Sequence, residues 1–145
     1  MKSIEATTPP VIDKSKPVME RIKTVQDAFN ECGLDINNLP DVSSIPKCFH
    51  KFIQNMYIAA VLTKALNEGW EPNWNDTSEW KYYPWTKVSA DKKRPAGFGF
   101  SYSGYGTSTS CTGVGSRLCF KNSELAIYVT KQFPEVYIPV MLMVE

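Results

Sequence analysis

An α+β fold is predicted for this 145-residue chain, with a small three-stranded antiparallel meander packed against a long helix and a C-terminal helix. Three observations predict it. Phe49, Phe52, Ile53, Met56, Tyr57, Ala60 and Leu66 recur at three- and four-residue steps, the spacing of one buried helical face. Phe98, Phe100 and Tyr102 alternate with Gly99 and Ser101, the two-residue period of a strand. Leu125, Tyr128, Val129 and Phe133 return to the helical spacing near the end.

In chain order, residues 1–20 form an arm. Pro9, Pro10 and Pro17 among Ser, Thr and Lys favour an extended, flexible segment there. Residues 21–145 follow as a single domain. Thr24 with Asp27 three residues on reads as a capping box, opening a short helix that stops at Gly33. Ser44 is expected to cap the long helix, with Pro46 in its first turn and Gly69 at its close. Turn-formers at Glu71-Pro72-Asn73 and Asn75-Asp76-Thr77 fold the next stretch back on itself. Trp80 to Val88 reads as a strand that Pro84 confines to an edge or a bulge. Ala90 to Pro95 connects it to the Phe98–Tyr102 strand. Gly104 to Gly115 reads as a loop, and Ser116 to Phe120 as a short third strand. Asn122 or Ser123 caps the last helix, which Pro134 ends or kinks. The apolar stretch beyond it, with Val136, Ile138, Pro139 and Val144, is left as an exposed tail.

Ten of the eighteen aromatic residues lie between Trp70 and Tyr105, all four tryptophans among them. Such a segment serves as the anchor of the core, as a recognition surface, or as both. The four indoles are expected to seal the seam between the long helix and the sheet. The net charge of +1 gives no global pull toward nucleic acid or membrane. Locally, however, Lys81, Lys87, Lys92, Lys93 and Arg94 are opposed only by Asp91. Aromatic rings interleaved with cations are how single strands of nucleic acid are bound. The candidate binding surface is therefore Trp80, Tyr82, Trp85, Lys87, Lys92, Lys93, Arg94, Phe100 and Tyr102.

Cys111 precedes Arg117 by six positions, the spacing of cysteine-dependent phosphatases. Its context differs from theirs: Thr107 to Ser110 is polar, no histidine precedes the cysteine, and Leu118-Cys119-Phe120 reads as a strand. What remains is a candidate anion site at Gly113, Gly115, Ser116 and Arg117, built on a glycine-rich turn. His50 is the one histidine, and Cys48 two residues away points elsewhere on a helix. No metal or cofactor set is read from Cys32, Cys48, Cys111 and Cys119, which are expected to be free thiols. No run of about 20 apolar residues is present to span a membrane.

Ala65-Leu66-Asn67-Glu68-Gly69-Trp70-Glu71-Pro72-Asn73-Trp74, Lys81-Tyr82-Tyr83-Pro84-Trp85, Gly97-Phe98-Gly99-Phe100-Ser101 and Val114-Gly115-Ser116-Arg117-Leu118-Cys119-Phe120-Lys121 form an ordered set. Together with Glu124-Leu125-Ala126 and Lys131-Gln132-Phe133 the set resembles a family of small proteins of gut bacteria and their tailed phages, the crAss-like group among them. The resemblance covers roughly residues 22–133. It implies a phage or prophage origin and carries no activity with it. The stretch from Pro134 departs from the charged helical ending of that pattern.

The function expected from these readings is a non-enzymatic, phage-type binding or assembly protein acting through protein–protein contacts or self-association. The arm and the apolar tail are its expected points of engagement. The second reading is a single-stranded nucleic-acid-binding protein using the aromatic and basic hairpin. The third is phosphatase-like or nucleotide chemistry at Cys111 and Arg117. The expected setting is the cytoplasm of a bacterial host, or association with a virion.

Overall fold

The computed structural model describes residues 11–94 and 97–142. The expectations placed on Pro9, Pro10, Pro95 and Val144 lie outside the described residues, as does the side chain of Phe98. Five α-helices and one two-stranded antiparallel sheet make up the described chain. The class is α+β, as expected.

Helix α1 (Val18–Arg21) is a single turn that places Val18, and Ile22 just after it, in the core. The last residues assigned to the arm thus belong to this turn. Helix α2 (Val25–Glu31) opens as the sequence predicts. The Asp27 N–H donates to Thr24 Oγ1 at 3.1 Å, and the Thr24 N–H donates to Asp27 Oδ2 at 2.8 Å. Gly33, at φ 66°, takes the left-handed conformation that ends it.

The long helix α3 (His50–Leu66) begins later than expected. Pro46 is extended, a 3-10 turn (Lys47–Phe49) follows, and no side chain caps the helix, so Ser44 is not its cap. The helix ends at Leu66, with Asn67 as its cap and Gly69 beyond it at φ 87°. Its buried face also differs. Burial is concentrated in the second half, at Ala59, Val61, Leu62, Ala65 and Leu66, whereas Phe49 is exposed and Phe52, Ile53 and Met56 are half-buried. The side of α3 left for the sheet is occupied by a helix the sequence did not predict.

That helix is α5 (Pro134–Leu142). It follows α4 (Ser123–Gln132), whose cap is Asn122, accepting the Leu125 N–H at 3.0 Å. Pro134 ends α4 and begins α5, where its missing N–H is harmless in the first turn. Val136, Tyr137, Ile138 and Pro139 are buried, and α5 packs on α3. The stretch is therefore a wall of the core and not an exposed tail.

The sheet consists of β1 (Lys81–Ala90) and β2 (Phe98–Ser108). The meander has two strands, not three. Residues Ser116–Leu118 make a 3-10 turn after Gly115 (φ 72°), so that of the extended residues that follow only Phe120 pairs with the sheet among the described residues. It forms one bridge with Tyr82, through N–H to O distances of 3.0 and 2.6 Å. Strand β2 runs through Gly104 and Gly106 to Ser108, so the expected loop begins only after that. The register shifts between Lys87 and Val88: Lys87 faces Tyr102 and Val88 faces Phe100, leaving Ser101 as the bulged residue. Ser101 Oγ donates to the Lys87 carbonyl at 3.1 Å and pins the bulge.

The hairpin lies on α4, not over α3. The expected seal of four indoles between α3 and the sheet is therefore absent. Trp70 shares a cleft with α3 residues, while Trp80 and Trp85 are exposed. Asn67 instead ties α3 to the return of the chain. Its amide donates to the Cys119 carbonyl at 2.9 Å and its Oδ1 accepts from the Lys121 N–H at 3.1 Å.

Candidate functional site

Cross-strand partners share a face of a ribbon, so the register sorts the hairpin's side chains. Tyr83, Trp85, Lys87 and Tyr102 lie on the outer face, with Gly106 opposite Tyr83 and Gly104 opposite Trp85. Tyr82, Pro84, Thr86 and Tyr105 lie on the other face, toward α4 and α5. There Tyr82 and Phe100 pack against the core, and Thr86 Oγ1 stands 4.0 Å from Met141 Sδ. The glycines of β2 make the outer face what it is. A Cβ at Gly106 would stand 2.3 Å from the Tyr83 ring, and one at Gly104 would stand 2.9 Å from the Tyr102 ring. The rings therefore lie flat over bare backbone.

Trp85 and Tyr102 meet edge to face, with centroids 6.3 Å apart and planes at 70°. Both remain open to solvent, at 54% and 59% exposure. Rings that pack on each other and still face water form a pre-shaped apolar shelf with little side-chain freedom to lose. Lys87 is exposed directly across from Tyr102.

The other predicted surface residues divide. Trp80 is exposed ahead of β1, and Lys92 and Lys93 are exposed at the hairpin tip. Arg94 is engaged by Asp91 at 3.3 Å and by Glu135. Tyr82 and Phe100 face the core side, with Tyr82 packed on Tyr105 at 5.7 Å. The bulge separates Phe100 from Tyr102, which the two-residue period had placed on one face. Tyr83, one of the interleaved rings, also lies on the outer face, whereas Val88 and the glycines at 104 and 106 that the rings cover were missed. The Gly-Tyr-Gly alternation at 104–106 is the signal that marked them.

Below the shelf, Lys81 is buried at 1% exposure. Its ammonium donates to the carbonyls of Asn73, Asp76, Glu79 and Thr109 at 2.7, 3.1, 3.0 and 3.0 Å, lies 3.2 Å from the Glu79 carboxylate and stands 5.2 Å from the Trp74 ring centroid. A lysine read as surface charge thus organises the loop leading into β1.

In the candidate anion loop, two of the backbone donors already have partners within the chain. The N–H groups of Val114 and Gly115 donate to Thr112 Oγ1 at 3.2 and 2.7 Å, and Ser116 Oγ accepts from Trp74 Nε1 at 2.8 Å. Gly113 is exposed in the loop. Arg117 is exposed and makes no ion pair among the described residues. With Lys64, Trp70 and Glu71 it lines a cleft of about 350 Å³ beside α3. Cys111 is exposed, its N–H held by Ser108 Oγ at 3.1 Å. Cys119 is buried, and desolvation pushes its thiol up to about 11. The four thiols are unpaired.

His50 Nε2 lies 2.6 Å from the Ile45 carbonyl oxygen, which can only accept, so that nitrogen carries a proton. Among the described residues no group of three or more His, Cys, Asp or Glu side chains is placed to hold a metal ion. Among them too, no helix is long and apolar enough to cross a membrane.

The fold and site define an α+β domain that presents an aromatic-faced two-stranded ribbon on a helical body. No family model, no curated protein and no solved structure matches the chain.

Proposed function

We propose that this is a non-enzymatic binding protein that engages another protein through the outer face of its hairpin. The observation that carries the reading is the Trp85–Tyr102 pair, packed edge to face yet more than half exposed. Aromatic side chains that pay little entropy on binding are favoured anchors of protein interfaces. Trp80 is exposed just ahead of β1, while the exposed Val88 and Tyr105 belong to the ribbon's other face, so the outer-face contact rests on Trp85 and Tyr102. The resemblance to proteins of gut bacteria and their tailed phages supports a phage-type assembly or host-contact role, in the host cytoplasm or on a virion. The test is affinity capture from a host extract with the native chain and with Trp85→Ser/Tyr102→Ser. Proteins held by the native chain and lost by the double variant are the expected result. Equal capture by both would remove the shelf from the reading.

A second reading, single-stranded nucleic-acid binding, draws on Lys87 opposite Tyr102 and on the exposed Lys92 and Lys93. It predicts binding of labelled oligothymidylate that weakens steeply with salt and falls when the three lysines become glutamine. Flat salt dependence excludes it. Cysteine chemistry at Cys111 and Arg117 has less behind it, because the N–H groups of Val114 and Gly115 are already bonded to Thr112.

A further inference from the structure

We infer that the free edge of β2 takes up an extended, acidic segment of the partner protein as an added strand. This rests on the protein-contact reading above and specifies the partner's chemistry. The two edges of the hairpin differ. The β1 edge carries Lys81, Pro84 and Lys87 and is met by Phe120 at Tyr82. Charges, prolines, bulges and covering segments are how sheet edges are kept from pairing, and on β2 the bulge at Ser101 confines the open run to Tyr102–Ser108. The sequence of β2, from Phe98 to Ser108, has no charged residue and no proline.

Among the described residues no hydrogen bond from another element reaches the backbone of residues 99–107. Past the Ser101 bulge the pairing with β1 is regular from Tyr102 to Ser108, so the opposite side of that run offers an even row of donors and acceptors.

A groove of about 360 Å³ runs along this edge. Residues 100–103 all line it. Past the bulge, Tyr102 and Ser103 point to opposite faces of the ribbon and both border the groove, which sets it at the edge of β2. The far wall is the corner between α4 and α5, with Thr130, Lys131 and Pro134. A strand edge facing a helix across a groove is the arrangement in which peptides bind by strand addition. The charged side chains on the groove are Arg94 and Lys131, both cations. Arg94 is already paired with Asp91 and Glu135, whereas Lys131 is exposed and makes no ion pair among the described residues. Backbone pairing thus supplies affinity without sequence, and Lys131 selects for a carboxylate.

The test uses the full chain labelled with nitrogen-15 and an eight-residue peptide of alternating Val and Glu, blocked at both ends. Amide shifts at residues 100–103 and around Thr130 and Lys131 are expected. They should vanish with the same peptide N-methylated at alternate positions, which cannot pair. A Val/Lys peptide should bind about five-fold or more weakly, and the exposed substitution Lys131→Glu should reverse that order. Absence of shifts, or indifference to N-methylation, overturns the proposal. Shifts confined to Tyr83, Trp85 and Tyr102 overturn the edge while leaving the outer-face reading standing. Edge shifts that persist in Trp85→Ser/Tyr102→Ser uphold the edge even if that reading fails. Edge shifts that appear on concentrating the chain alone, with a doubled mass in sedimentation, give the groove to a second copy and overturn the foreign peptide.

Discussion

The ring of Tyr83 lies over Gly106, occupying the space a side chain there would need, with ring carbons 2.3 Å from the position of a Cβ. Two strands that carry aromatic rings on one and glycines on the other can thus keep a ring flat on the sheet. The Gly106 α-protons should resonate upfield, within the ring current, and return to ordinary positions in Tyr83→Leu. Gly106→Ala should push the ring into water at a cost of about 1–2 kcal/mol. Unshifted α-protons in the native chain would contradict the stacking.

Lys81 is the second point of leverage. Replacing it with Met leaves four carbonyls and the Glu79 carboxylate without their shared donor. A loss of about 3 kcal/mol is expected, together with a red-shifted Trp74 emission as its loop opens. The exposed Lys87→Met should change stability by no more than about 0.5 kcal/mol. Equal effects at the two lysines in denaturant titrations would show that the carbonyl cage contributes nothing.

Tyr137 is fully buried on α5, and among the described residues its hydroxyl makes no well-formed hydrogen bond, the Thr63 side chain being the polar group beside it. Burial raises its pKa, because desolvation of the phenolate outweighs the help of the Thr63 side chain beside it. Tyr137→Phe removes an unsatisfied polar atom and keeps the ring. Thermal unfolding should therefore show a gain of about 1 kcal/mol. A clear loss would mean that the hydroxyl is bonded after all.

Glu68 links three elements. Its carboxylate accepts from Lys121 Nζ at 3.0 Å and from Arg21 Nη2 at 2.5 Å, and Arg21 also reaches Glu31 at 2.6 Å. The Lys121 hydrogen bond, with the charges of Lys121 and Arg21, outweighs desolvation and holds its pKa below the ordinary 4.5. The unfolded chain therefore binds this proton at higher pH than the folded one. The stabilisation is complete above about pH 4.5 and is lost as pH falls through the folded value. Glu68→Gln should flatten stability against pH in that acid range, and added salt should shrink the difference because the group is partly exposed. Identical acid profiles for the two chains would rule out this linkage.

Local chemistry was the legible part of this sequence. The Thr24–Asp27 box, the Asn122 cap and the Pro134 boundary each depend on neighbours a few residues away, and each stands where its residues place it. Tertiary competition was not legible. The apolar stretch after Pro134 reads as an exposed tail, yet it folds as a helix whose burial against α3 outweighs the backbone bond lost at Pro139. Gly104 and Gly106 look like loop residues until the rings that cover them are known. Only the cross-strand register shows those rings, and the Ser101 bulge shifts that register by one residue. The candidate surface was half legible for the same reason: alternation names the rings but not which side of the ribbon meets α4.

Asn67 grips the chain at Cys119 and Lys121, more than fifty residues downstream. The polypeptide thus sets out from the foot of α3 and comes home to the same spot before α4 begins. Everything between is a detour with a shared doorway, and its length is not dictated by the distance between the helices it connects. Evolution can lengthen, shorten or redecorate such a detour while the doorway stays shut, which leaves the ribbon free to change without disturbing the helices.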